Sequence, residues 1–170
     1  MEEEGRQHDI ILRKNFIESV FVYKRWRTVA DNFTPARLVT FHTEHKLLLR
    51  AHSEKHYRIL GRITAGAGTL NPDEFLYAYQ ENLMSCMRLK PTVQKHVNVL
   101  MHIMGHFKKQ LSKDEKQELL EVIDSFKNQH IPLIVPIALL NHYVRKYDEY
   151  LAKQHYLNPH PTELKLRNHA

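Results

Sequence analysis

The sequence has a single cysteine, Cys86, among 170 residues. One thiol cannot form an internal disulfide, and it cannot furnish the thiolates of an iron–sulfur cluster or a cysteine-rich zinc site. Glycine and proline are sparse, at 5 and 7 residues, which is too few for a turn-rich β-sandwich and comfortable for helices. No apolar run approaches the roughly 20 residues of a membrane span. The longest, from Ile131 to Leu140, is interrupted by Pro132 and Pro136. The opening Met-Glu-Glu-Glu-Gly has neither the basic nor the apolar region of a secretory signal. With the lone cysteine, that makes a reducing cytoplasm the expected location and a membrane an excluded partner. Also missing are a Gly-x-Ser-x-Gly elbow, a phosphate-cradling Gly-x4-Gly-Lys-Ser/Thr loop and a His-Glu-x-x-His pair. No cofactor is therefore expected.

What the chain does have is positive charge and histidine: a formal net charge of +6 and 13 His. Hydrophobic residues at 42% and charged residues at 26% fit an ordinary globular domain, so wholesale disorder is excluded. The charge is concentrated. Residues 32–62 hold six Lys/Arg against two acids, and residues 92–111 hold three Lys and no acid, so the remainder is close to neutral. The same two stretches carry seven of the histidines, whereas residues 112–130 carry five acids against three Lys. Charge gathered in this way points to a polyanionic partner, although solvated helix faces account for it equally well.

Helix signals follow one another with no sustained period-2 alternation. Asp9 caps a first helix to about Val29, behind a flexible acidic N-terminus at 1–8. Thr34-Pro35 opens a second to about Ala51. Ser53 opens a third that fades into Gly66-Ala67-Gly68, and Asn71-Pro72 a fourth that stops before Pro91. Thr92 caps a fifth to about Leu111, and Ser112-Lys113-Asp114-Glu115 is a capping box for a sixth. Pro132 opens a seventh to about Tyr147, with Pro136 able to kink it or delay its start. A short helix spans Tyr150 to Tyr156, and an irregular arm follows from Asn158. The predicted fold is all-α: one compact domain at 9–170 of seven or eight short helices with an irregular C-terminal arm.

On the fifth helix, Val97, Leu100, Met104, Phe107 and Leu111 share one arc, and Lys95, Asn98, His102, His106 and Lys109 share the opposite one. A fully solvated face usually mixes acid with base; this stripe has no acid. Lysine supplies point charge there, and Asn and His supply directed hydrogen bonds. Gly105 lies beside the stripe and would let a backbone or ligand come close. His96 and, on the second helix, His45 fall on apolar arcs and read as hydrogen-bonded core residues. His42 and Lys46 border that arc, and Arg50 lies outside it. The third helix adds Lys55, Arg58 and Arg62, and its N-terminus near His52 and Ser53 is a natural anion site. Trp26, among Tyr23, Lys24, Arg25 and Arg27, fits a half-buried helix end better than a base-stacking platform. The pairs His42/His45 and His102/His106 have helical spacing but do not complete a three- or four-ligand set, so no metal is expected.

The runs Phe41-His42, Lys46, Ala51-His52-Ser53, Tyr57-Arg58 and Leu60-Gly61 resemble the YbgA-like family of bacterial proteins. So do His96-Val97-Asn98-Val99-Leu100-Met101-His102, Gly105, Phe107-Lys108-Lys109, Pro132-Leu133-Ile134-Val135-Pro136 and the terminal Leu164, Leu166-Arg167-Asn168. The resemblance covers about residues 20–170. It implies a domain that stands alone or is fused behind a cysteine-containing, desulfidase-like domain that resembles enzymes removing sulfur from thiouracil or thiolated tRNA uridine. In the fused form this domain would hold the RNA. Cys86 cannot replace the missing half, so desulfidase activity is not carried over.

The expected function is thus a nucleic-acid module, for tRNA or another RNA, accessory to thiouridine turnover or stress response. Its contacts are His42, Lys46, Arg50, His52, Ser53, Lys55, Arg58, Arg62, Lys95, Asn98, His102, His106 and Lys109. Two alternatives stand beside it. One is a small, metal-assisted or metal-free enzyme using His42, His52, His96 or His102. The other is a protein-interaction module docking on a separate desulfidase-like or repair enzyme.

Overall fold

A computed structural model describes residues 2–68 and 71–158, with side chains from Ile11 onward. Among the described residues there are eight helices and no strand. They are α1 (Glu2–Asp31), α2 (Pro35–His52), α3 (Glu54–Ala65), α4 (Pro72–Arg88), α5 (Val93–Phe107), α6 (Lys113–Lys127), α7 (Ile134–Tyr147) and α8 (Glu149–Ala152). No helix among them is long and apolar enough to cross a membrane.

The caps written in the sequence set the helix starts. Thr34, Ser53, Asn71, Thr92 and Ser112 each accept a backbone N–H of the first turn, and Ser112 with Glu115 closes a full capping box. Four boundaries differ from the sequence reading. The first helix begins at Glu2 rather than Asp9, because the acidic run suits the positive end of a helix dipole. The fifth ends at Phe107, and 108–110 form a turn that feeds the Ser112 cap. The seventh starts at Ile134, which puts Pro136 in the first turn, where a missing N–H costs nothing. The eighth covers only Glu149–Ala152. The irregular arm expected beyond Asn158 lies outside the described residues.

Helices α1 to α4 pack together, as do α5 to α8, and the contact of α2 with α5 joins the two groups. The first group closes on Trp26, which is fully buried and stacks on Tyr79 at 4.7 Å, with Phe41 edge-on at 5.6 Å. The Trp26 Nε1–H donates to Gln80 Oε1 at 2.9 Å, so the indole is a core anchor with its polar tip satisfied. The second group closes on Leu100, Phe107, Leu119, Leu140 and Val144, all fully buried. Val97, Leu100, Met104, Phe107 and Leu111 all point inward, so α5 turns its basic stripe away from the core.

Candidate functional site

The joint between α2 and α5 places Lys46 and Arg50 beside His102 and His106. His102 interacts electrostatically with Arg50, His106 and Lys46, and the two cations help to lower its pKa after burial, the largest cause, while Glu54 opposes them. Lys95 fixes the register: its ammonium donates to the His52 carbonyl at 2.7 Å, capping the negative end of α2.

The other side chains along the seam come from α2 to α5, from α8 and from its cap Asp148. Arg50 donates to Glu54 Oε2 at 2.8 Å and lies 5.8 Å over the Tyr57 ring. Arg58 donates to the second Glu54 oxygen at 3.3 Å. His42 stacks parallel on Tyr57 at 5.4 Å, and its Nδ1 meets the Tyr79 hydroxyl at 3.1 Å. Burial first, and Lys46 second, push the His42 pKa down to about 4, so this ring is neutral at pH 7. His106 Nδ1 lies 3.3 Å from Asp148 Oδ2, and its ring faces that of Tyr150 at 6.2 Å. The His102 and His106 rings stand edge to face at 5.1 Å. Lys46 is half-buried and makes no ion pair among the described residues.

Not every expected contact belongs to this surface. His52 is fully buried, with Nδ1 donating to Leu89 O at 2.6 Å and Nε2 facing Glu18 Oε2 at 3.1 Å. It locks α2 to α1 and to the end of α4, so it cannot touch a surface polyanion. Ser53 is buried too. Its hydroxyl accepts the His56 N–H, so the anion site expected at the start of α3 is filled by the cap itself. Lys95 is engaged with His52, as described. Asn98 is exposed and accepts from Gln94 Nε2 at 3.0 Å. Lys55, Arg62 and Lys109 are exposed, with no ion pair among the described residues. His45 is buried, and His96 is half-buried with Nδ1 at 2.9 Å from the Tyr156 hydroxyl, as core positions require.

Four seam residues escaped the sequence reading: Glu54, Tyr57, Asp148 and Tyr150. Asp148 caps α8 by accepting the Leu151 N–H at 3.0 Å, and that capping role was its only local signal. Its approach to His106 is a tertiary fact that spacing does not encode. Among the described residues, no group of three or more His, Cys, Asp or Glu could hold a metal ion. Cys86 is buried, and burial raises its thiol pKa to about 12, so it is not a nucleophile.

The arrangement can hold an anion between Lys46 and Arg50, offer aromatic faces at Tyr57 and Tyr150, and pass a proton through His102 or His106. Gly105 lies exposed beside it, and a Cβ there would meet nothing within 4 Å, so the fold does not require glycine at that place.

Comparison with known proteins agrees with the resemblance in the motifs. Residues 46–161 match the family described as "Protein of unknown function (DUF1722)". The "Uncharacterized protein YbgA" of Escherichia coli (strain K12) is 31% identical over 144 residues, which are 84% of this chain and 85% of that protein. No solved structure matches. The matched residues begin at Lys46 and take in Arg50, His102, His106 and Asp148, and on these two matches the chain belongs to the YbgA-like family.

Proposed function

We propose that this protein is a cytoplasmic RNA-binding module, for tRNA or a similar RNA, that uses the α2–α5 seam. The observation that carries the reading is the meeting of Lys46 and Arg50 with the acid-free stripe of α5 at His102 and His106. Phosphates suit the two cations, and Lys55, Arg62 and Lys109 supply longer-range attraction. Tyr150, 40% exposed, and the edge of Tyr57 suit unstacked bases. Glu54 and Asp148 temper the field, which favours a partner that also donates hydrogen bonds, as ribose hydroxyls do. Accessory service to a separate desulfidase-like protein remains part of the proposal.

The test is titration of labelled tRNA at two salt concentrations. Binding should weaken steeply with salt, and the double variant Lys46→Glu/Arg50→Glu should lose about tenfold or more in affinity. No binding at low salt, or full affinity in the double variant, overturns the reading.

One observation favours a second reading. Asp148 is placed to orient His106, and His102 has a lowered pKa, so one of two adjacent imidazoles is available as a base near neutral pH. That is the outline of a small histidine-dependent enzyme acting on a phosphate-bearing substrate. Turnover of RNA that disappears in both His102→Ala and His106→Ala would favour it over simple binding.

A further inference from the structure

A second site lies on the opposite side of α2. At about 100° per residue, Ala36, Arg37, Thr40, Phe41, Glu44 and His45 face away from His42, Lys46 and Arg50. With α1 and the segment at His155 they line an open cavity of about 530 Å³. That lies in the range of roughly 300–1,000 Å³ typical of small-molecule sites.

The cavity's chemistry is mixed in a particular way. Two guanidinium groups, Arg25 and Arg37, line it with one carboxylate, Glu44; Arg25 also interacts with Glu18 behind the lining, and Arg37 donates to Asn32 O at 3.0 Å. Both histidines are uncharged at neutral pH. Burial, followed by His155, pushes His45 well down, and burial, followed by Arg25, brings His155 to about 4. The formal balance of the lining is therefore positive and favours an anion. His45 adds a hydrogen-bonding demand. Its Nδ1 donates to Phe41 O at 2.8 Å, so Nε2 carries the lone pair. That atom is buried and has no hydrogen-bond partner, and the centre of its ring lies 4.2 Å from that of His155. A buried acceptor left unmet is costly, and it marks a place where a donor belongs. Val29, Ala36 and Phe41 provide an apolar wall.

We propose that this cavity binds a nucleoside monophosphate, its phosphate set against Arg25 and Arg37 and its base offering N–H groups to Glu44 and His45. The phosphate supplies the anion that the two arginines select. The base supplies both a planar apolar face for the wall and the donors that a carboxylate and a neutral imidazole accept. A base that lifts the His155 ring gives Nε2 its missing partner. The site stands apart from the seam and does not rest on the RNA reading.

Calorimetric titration of the full chain with AMP, GMP, CMP and UMP, and with inorganic phosphate alone, tests this. At least one nucleotide should bind with a sub-millimolar Kd, and phosphate should bind at least about tenfold more weakly. Ala36→Trp, which fills the cavity from an exposed first-turn position, should abolish binding. Arg37→Glu should weaken it about tenfold. Circular dichroism should show both variants helical, and Lys46→Glu/Arg50→Glu should bind nucleotide as the parent does. The proposal is overturned if no nucleotide binds, if phosphate binds as tightly as the nucleotides, or if Ala36→Trp keeps its affinity. Loss of nucleotide binding in the Lys46/Arg50 variant would also overturn it, because it would move the site to the seam.

Discussion

His52 and Lys46 lie six positions apart on one helix, and both lie within the residues that match the family. Their environments are opposite. His52 has no exposed surface and is tied to Glu18 and Leu89 O, whereas Lys46 is half-exposed with no ion pair among the described residues. The first position locks helices together; the second carries a charge that nothing in the described fold neutralises. One stretch of helix can therefore mix residues that make the fold with residues that the fold presents, and only burial separates them. Substitution at the lock should be read in stability, and substitution at the seam in binding.

The largest expected effect tests the lock. His52→Ala removes two buried contacts, to Leu89 O and to Glu18, and leaves a cavity where the ring packed, which together cost about 2–4 kcal/mol. Chemical denaturation should show a loss of that order. A loss below about 1 kcal/mol would erase the distinction between the two positions.

The next contrast comes from pH. The folded His42 pKa of about 4 lies below its ordinary value of 6.5. The unfolded chain therefore binds more protons between these values, and stability rises with pH across the window. On acidification from about 6.5 toward 4, His42 should cost on the order of 1–2 kcal/mol, once solvent screening of a part-exposed ring is allowed for. His42→Gln should flatten that portion of the denaturation profile, leaving the share due to His45 and His155.

Much of the fold was legible because its signals are local. Thr34, Ser53, Thr92 and Ser112 are caps whose partners lie within the next turn, and the inward face of α5 follows from helical spacing alone. The burial of His52 was not legible, because Glu18 and Leu89 reach it from α1 and from the end of α4. Asp148 shows the same limit: its capping of α8 is local, whereas its approach to His106 depends on how α7 and α8 pack near α5. Tyr57 is alike in this: it packs against the core, and which polar groups its ring serves, His42 and Arg50, is set by how α2 and α3 meet.

Two smaller effects sharpen the seam. Gly105→Ala should stabilise the protein by about 0.5–1 kcal/mol, since the added methyl meets no atom and alanine favours helix. If RNA approaches α5 closely there, the same variant should bind RNA more weakly in spite of its higher Tm. Asp148→Asn preserves a good cap, so thermal stability should change by less than about 0.5 kcal/mol. Removing that carboxylate from the seam should raise RNA affinity modestly, read in the same titration.

We propose the α2–α5 seam as a polyanion surface built on a lock that does not itself bind. Its most direct measurement is the slope of log affinity for tRNA against log salt, for the parent and for Lys46→Glu/Arg50→Glu. The parental slope should be steep and that of the double variant shallower by about 2, with unchanged helicity. Equal slopes and equal affinities in the two proteins would contradict it.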